Sequence, residues 1–155
     1  MKGKKMNPKW ENRFLNICNE LATWSNCMSR QIGAVLVKDK RIISTGFNGP
    51  PMKYPHCGDE RKTCPRQLMG YKSGEGIEHC PALHAEENCI LNAAYMGIAT
   101  KDSTLYMNCG IPCAPCLKKI INAGIGRIVC TSREYYDEMS ASLLEHSKLP
   151  VATYG

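Results

Sequence analysis

No apolar run in this 155-residue chain approaches the roughly 20 residues that a membrane-spanning helix needs, so the sequence offers no helical span. The opening Met1–Met6 is basic, yet Asn7, Pro8, Lys9 and Trp10 follow where a secretory signal would place its apolar segment. A cytoplasmic protein without membrane partners is the expectation. Internal repeats and low-complexity stretches are absent, which excludes solenoids and disordered linkers as the main architecture. Also missing is a basic tail, or a basic stripe interleaved with aromatics, the pattern suited to single-stranded nucleic acid. Nucleic acid is therefore not the expected partner. Acidic residues are the minority charge, 14 Asp and Glu against 20 Lys and Arg. The resulting formal charge of +6 suits a phosphorylated or anionic partner and equally suits plain solubility. With 43% hydrophobic and 22% charged residues the composition is that of an ordinary globular protein, and the length fits one domain over residues 1–155.

What is plentiful is cysteine, with ten residues. In a small secreted chain these would suggest disulfides. Here no export segment is seen and several stand beside histidines, so reduced, metal-ligating thiolates are expected.

Apolar residues Trp10, Phe14, Ile17, Leu21 and Trp24 recur at helical spacing and predict an amphipathic first helix. Residues 32–37 and 42–47 read as a hairpin of largely buried strands turning at Lys38–Arg41, and Asn48–Pro51 ends it. Residues 49–83 then carry Gly, Pro, Lys and Cys with no periodicity, a long insertion of the kind that is functional or tied down. A helix from Ala85 to about Met96 follows, with Ile90, Leu91 and Ala94 on its apolar face. Strand 104–107, helix 115–123 ended by Gly124, strand 127–130, helix 138–146 and a short strand at 151–153 complete the order. This α-β-β-α-β-α-β-α-β alternation predicts an α/β fold whose mixed, about five-stranded sheet has helices on both faces.

Two short strings carry chemistry: His84-Ala85-Glu86, and Pro112-Cys113-Ala114-Pro115-Cys116. One imidazole and two thiolates can fill three corners of a zinc tetrahedron and leave the fourth for water. Each string opens a predicted helix, where free N–H groups and the helix dipole favour thiolate over thiol. Pro112 suits a helix start, and the three-residue step between the cysteines puts both sulfurs on one side of the first turn. Glu86 is the candidate acid–base group. Either string alone has plainer readings, a structural zinc knuckle or a redox pair for the cysteines. A closed structural site would need a fourth protein ligand, for which Cys109 is the candidate, though it also reads as a buried core residue.

H-x-E followed by P-C-x-x-C is the signature of the zinc-dependent nucleobase deaminases. From about Cys27 to Tyr136 the chain resembles the cytidine deaminase superfamily, and within it the deoxycytidylate (dCMP) deaminases. The segments that carry the resemblance are Cys27–Val37, Ile43–Pro50, His84–Asn88 and Cys116–Ile125. It implies a three-layer α/β/α fold and zinc-dependent hydrolysis of dCMP to dUMP and ammonia, feeding thymidylate synthesis. It further implies that Asn48 contacts the nucleoside, that Arg30 meets the phosphate, and that Ala85 and Tyr135 line the substrate. Asn88 would buttress the site. Each has a simpler reading: Asn48 in a turn, Arg30 a solvated charge, Tyr135 a packing residue.

Some members of the superfamily hold a second, structural zinc with ligands from the regions around Cys27 and the insertion. Cys27, Cys57, Cys64 and Cys80 are the candidate ligands here, with His56 and His79 as substitutes. A segment with little core of its own gains order from such a clip, and the alternative is a flexible lid with incidental cysteines. The resemblance also implies dCTP and dTTP as effectors, Mg2+ only alongside such a triphosphate, and a homo-oligomer, dimer or hexamer. Two other functions fit the residues: a related deaminase acting on modified dCMP, cytidine or tRNA adenosine, and a non-catalytic zinc-stapled binding module. Glu86 discriminates against the second, because a structural site has no use for it.

Overall fold

A computed structural model describes residues 7–58 and 63–154. The basic Met1–Met6 segment lies outside them. The elements are α1 (Pro8–Ala22), β1 (Gly33–Lys38), β2 (Arg41–Phe47), α2 (Pro65–Leu68), α3 (Ala85–Tyr95), β3 (Thr104–Met107), α4 (Ala114–Asn122), β4 (Arg127–Cys130), α5 (Glu138–Ser147) and β5 (Val151–Thr153). Among the described residues no helix is long and apolar enough to cross a membrane.

The strands form one mixed sheet in the order β2-β1-β3-β4-β5. β1 pairs antiparallel with β2 and β3, whereas β3, β4 and β5 run parallel. The antiparallel hairpin turns at Asp39 and Lys40, both in the left-handed region at φ 51° and 61°, as a two-residue turn matched to strand twist requires. The parallel pairs need crossovers, which α4 and α5 supply.

Side-chain alternation along the strands divides the core. Ala34, Leu36, Leu105, Met107, Ile128 and Cys130 join Ala85, Cys89, Ala93, Leu117 and Ile120 from α3 and α4. Val35, Val37, Tyr106 and Val129 point the other way, onto Phe14, Leu15, Cys18 and Leu21 of α1. The result is the expected α/β/α layering. Under α1, the fully buried Glu11 receives both guanidinium nitrogens of Arg127 at 2.8 and 3.0 Å and the Tyr106 hydroxyl at 3.0 Å.

Four expectations change. The first helix stops at Ala22, and Trp24 lies beyond it with 57% of its surface exposed. β2 is not largely buried: it is an edge strand whose outer residues Arg41 and Ile42 face solvent. The insertion is not structureless, since it contains α2 and a 3₁₀ turn at Ile77–His79. On α3 the buried face is Ala85, Glu86, Cys89 and Ala93, not Leu91 and Ala94, which are exposed. Close approach explains the last difference. A Cβ at Gly46 would meet the Ala85 carbonyl and stand 2.5 Å from the Cys89 amide nitrogen, so α3 lies directly on β2 and only small residues fit between.

The insertion is pinched at its base. Gly49 and Leu83 exchange two backbone hydrogen bonds, of 3.1 and 2.8 Å, in an isolated antiparallel bridge. His84 follows immediately.

Candidate metal centre and active site

His84 is the N-cap residue of α3, Cys113 that of α4, and Cys116 lies in the first turn of α4. The His84 Nδ1 atom stands 3.4 Å from Cys113 Sγ and 3.3 Å from Cys116 Sγ. A carboxylate oxygen of Glu86 joins them, and the donor atoms of all four side chains lie within 4.8 Å of one another. A tetrahedral zinc ion, with bonds of about 2.3 Å to sulfur and about 2.0 Å to nitrogen, separates such ligands by about 3.5 Å. The imidazole and the two sulfurs therefore fit that ion.

The electrostatics point the same way. The S–H of Cys116 donates to Cys113, which with the His84 hydrogen bond outweighs burial and brings the Cys113 thiol down to about 5. The same sulfur–sulfur bond, with burial, pushes Cys116 well above the ordinary thiol range. The Cys113 hydrogen bond raises His84 to about 8 against the opposing effect of burial. Protons thus gather where a cation would sit, and a metal ion would replace them. Burial pushes the Glu86 carboxyl, 4% exposed, above the ordinary carboxylate range. A carboxyl so placed can both accept and return a proton.

Polar contacts hold the two helix starts. The Glu87 carboxylate accepts from the His84 amide at 3.1 Å and pairs with Lys119 of α4, tying α3 to α4. Asp137, the N-cap of α5, accepts from the Ala114 amide at 3.1 Å, inside the Pro112–Cys116 turn. The buried Ser140 hydroxyl donates to the Pro112 carbonyl at 3.0 Å. Sequence reasoning missed these residues. Asp137 three positions before Ser140 is a helix-start pattern, but nothing local reveals that the same carboxylate reaches α4.

A cavity of about 490 Å³ opens on this group, a size usual for small-molecule sites. Arg30, Asn48, Ala85 and Tyr135 all line it, as do Cys27, Cys80 and Cys109. Asn48, 8% exposed, accepts from the Ile32 amide at 2.9 Å and donates to the Arg30 carbonyl at 2.8 Å, so its side chain braces the loop that presents Arg30. Asn88 donates to the Phe47 carbonyl at 2.8 Å and fastens α3 to the end of β2. Cys109 stays outside the metal group: its S–H donates to the Gly110 carbonyl at 3.6 Å, and burial pushes its thiol far up.

Among the described residues the group at His84 is the one set of three or more metal-ligating side chains so gathered. Among those residues Cys27, Cys57, Cys64 and Cys80, with His56 and His79, do not form a second such set. The His79 ring instead stacks on Tyr71, with centroids 5.7 Å apart. All ten cysteines stand outside disulfides.

Residues 8–132 match the family described as the cytidine and deoxycytidylate deaminase zinc-binding region. This chain belongs to that family. The deoxycytidylate deaminase of Mycobacterium phage D29 is 37% identical over 127 residues, covering 79% of this chain and 94% of the phage protein. That of Saccharomyces cerevisiae is 34% identical over 149 residues, 96% of this chain but 46% of the yeast protein. The chain thus spans about half the length of the yeast relative. The crystal structure of a cyanophage S-TIM5 dCMP deaminase with dCMP and dUMP superposes with a TM-score of 0.76 over 97% of this chain and 100% of that one. At 22% identity that likeness shows a shared deaminase fold. The family match ends before Tyr135, Asp137 and Ser140.

Proposed function

We propose that the protein is a zinc-dependent deaminase that hydrolyses dCMP to dUMP and ammonia, supplying dUMP for thymidylate synthesis. One observation carries this reading: an imidazole and two sulfurs at zinc-ligand spacing are gathered with a buried carboxyl, and His84, Glu86 and Cys113 of this group line a cavity. The names of the phage and yeast relatives support the substrate. His84, Cys113 and Cys116 would hold the zinc, which when bound supplies the Lewis acidity that makes water a nucleophile near neutral pH.

Glu86 manages the protons. As water adds to the amine-bearing carbon and the new C–O bond forms, Glu86 accepts one of its protons and gives it to the adjacent ring nitrogen. The remaining hydroxyl proton then passes through Glu86 to the amine, the C–N bond breaks, ammonia leaves and a carbonyl remains. Burial of Glu86, 4% exposed, shelters this exchange from bulk water. Ala85 lies against the base, Asn48 holds the loop facing the nucleoside, Arg30 meets the phosphate, and Tyr135 covers the sugar or base.

The test is a panel of dCMP, deoxycytidine, cytidine and a tRNA anticodon stem, offered to zinc-loaded protein with ammonia and product both measured. Turnover of dCMP is the expected result. Activity confined to RNA overturns the substrate assignment, and no ammonia from any of them overturns the enzyme.

A further inference from the structure

The cavity has a buried floor, at Glu86, and an exposed rim. Part of that rim is built by the insertion. Arg66 of α2 is 8% exposed, unusual for an arginine with no carboxylate partner among the described residues. Its Nε donates to the Glu75 carbonyl at 2.7 Å and its Nη2 to the Lys72 carbonyl at 3.1 Å, while its own carbonyl accepts from the Tyr71 amide at 3.0 Å. The two bonds from the guanidinium grip both ends of one tight turn. That turn is closed by the Glu75 amide on the Lys72 carbonyl at 3.0 Å and by the Lys72 amide on the Glu75 carboxylate at 3.1 Å. Gly74, at φ 84°, occupies the position where such a turn needs a left-handed residue.

The turn reaches across the cavity. A Cβ built on Gly74 would touch the Tyr136 hydroxyl at 3.4 Å, on the segment between β4 and α5. Ser73, Gly74 and Glu75 line the cavity opposite Tyr135 and Tyr136, and all three are exposed. The central amides of the turn, those of Ser73 and Gly74, are not used by the bonds that close it. Successive backbone N–H groups of this kind suit an anion. Arg30 and Arg66 both line the cavity; Glu75, Glu86 and Glu134 are the carboxylates among its lining residues, and Glu75 is engaged by the Lys72 amide.

We propose that Arg66 is a positioning residue, a clamp that holds the Lys72–Glu75 turn across the rim where it receives the phosphate end of a nucleotide. This rests on the function proposed above, since a base whose amine-bearing carbon reaches Glu86 leaves its 5′ substituent at the rim. Arginine is required because a planar fork reaches two carbonyls at once, which an ammonium cannot do with the same geometry.

The test is calorimetric binding of dUMP and of deoxyuridine to the zinc-loaded full chain, in wild type, Arg66→Ala, Arg66→Lys and Gly74→Asp. Arg66→Ala is expected to weaken dUMP by about tenfold or more and to leave deoxyuridine within about twofold, with Arg66→Lys between. Equal loss for both ligands, or no loss for either, overturns the clamp. If Arg66→Ala fails to fold by circular dichroism, Gly74→Asp decides: its carboxylate must repel dUMP and spare deoxyuridine, and an equal effect on the two overturns the proposal. A wild type that binds both ligands alike overturns it as well. Ammonia release from dCMP is measured separately, so a chain that prefers dUMP yet deaminates nothing sinks the reaction and leaves the clamp standing.

Discussion

Replacing Glu86 by Gln changes proton chemistry while keeping shape. The side chain is 4% exposed, so a substitution of different volume would disturb packing and blur the result. Gln matches it atom for atom but cannot shuttle a proton. General acid–base help is worth about 10²–10⁴ in rate, so turnover of dCMP should fall by that factor, about 3–5 kcal/mol of transition-state stabilisation. Stability should move the other way or not at all. Burial already disfavours the charged form of Glu86, and a neutral amide removes that cost. Zinc should stay at one ion per chain, because His84, Cys113 and Cys116 suffice to hold it. The assays are steady-state ammonia release, metal analysis and thermal unfolding on one preparation. Turnover within about threefold of wild type refutes the acid–base role. Loss of zinc with the substitution refutes the division of labour, since Glu86 would then be a ligand.

Other outcomes follow from the supporting contacts. Glu11→Ala strands the Arg127 guanidinium beside Tyr106 and should cost about 3–5 kcal/mol, read in denaturant unfolding; a loss below about 1 kcal/mol would mean that water reaches the gap. Asp137→Ala should lower zinc affinity by about tenfold or more in chelator competition, as the loss of contacts behind metal ligands does. Burial raises the Asp137 carboxyl, but the Ala114 and Ser140 amides outweigh it and hold it below the ordinary range. Its contribution is therefore present above the unfolded value of about 3.8 and is lost as pH falls through the folded one, so wild type and Asp137→Ala should converge in stability in acid. Gly46→Ala should lift α3 from β2 and cost about 1–3 kcal/mol, with weaker zinc binding in the same competition assay; unchanged stability would show that the helix slides at no cost.

Sequence reading found the sheet and the strand order along the chain, and it singled out the three candidate zinc ligands and Glu86 that the structure gathers, because each rests on a short local pattern. His84 and Glu86 are two residues apart, and Cys113 and Cys116 three. It failed where contact replaced pattern. On α3 the eye goes to Ile90, Leu91 and Ala94, yet the helix sits so close to Gly46 that Cys89 and Ala93 fill the contact instead. β2 alternates weakly, and only the sheet order reveals that it is an edge. Arg66 and Asp137 were invisible for a shared reason: each acts on backbone groups of a distant segment, and backbone carries no sequence signature.

The paired amides and carbonyls of Gly49 and Leu83 act as a drawstring. Everything between them is a bight of chain whose two ends are already fastened, and the entropic toll of lengthening such a bight grows only with the logarithm of its size. A change of length within residues 50–82 should therefore leave the His84 imidazole in place so long as this bridge holds, which zinc affinity in a shortened variant would check.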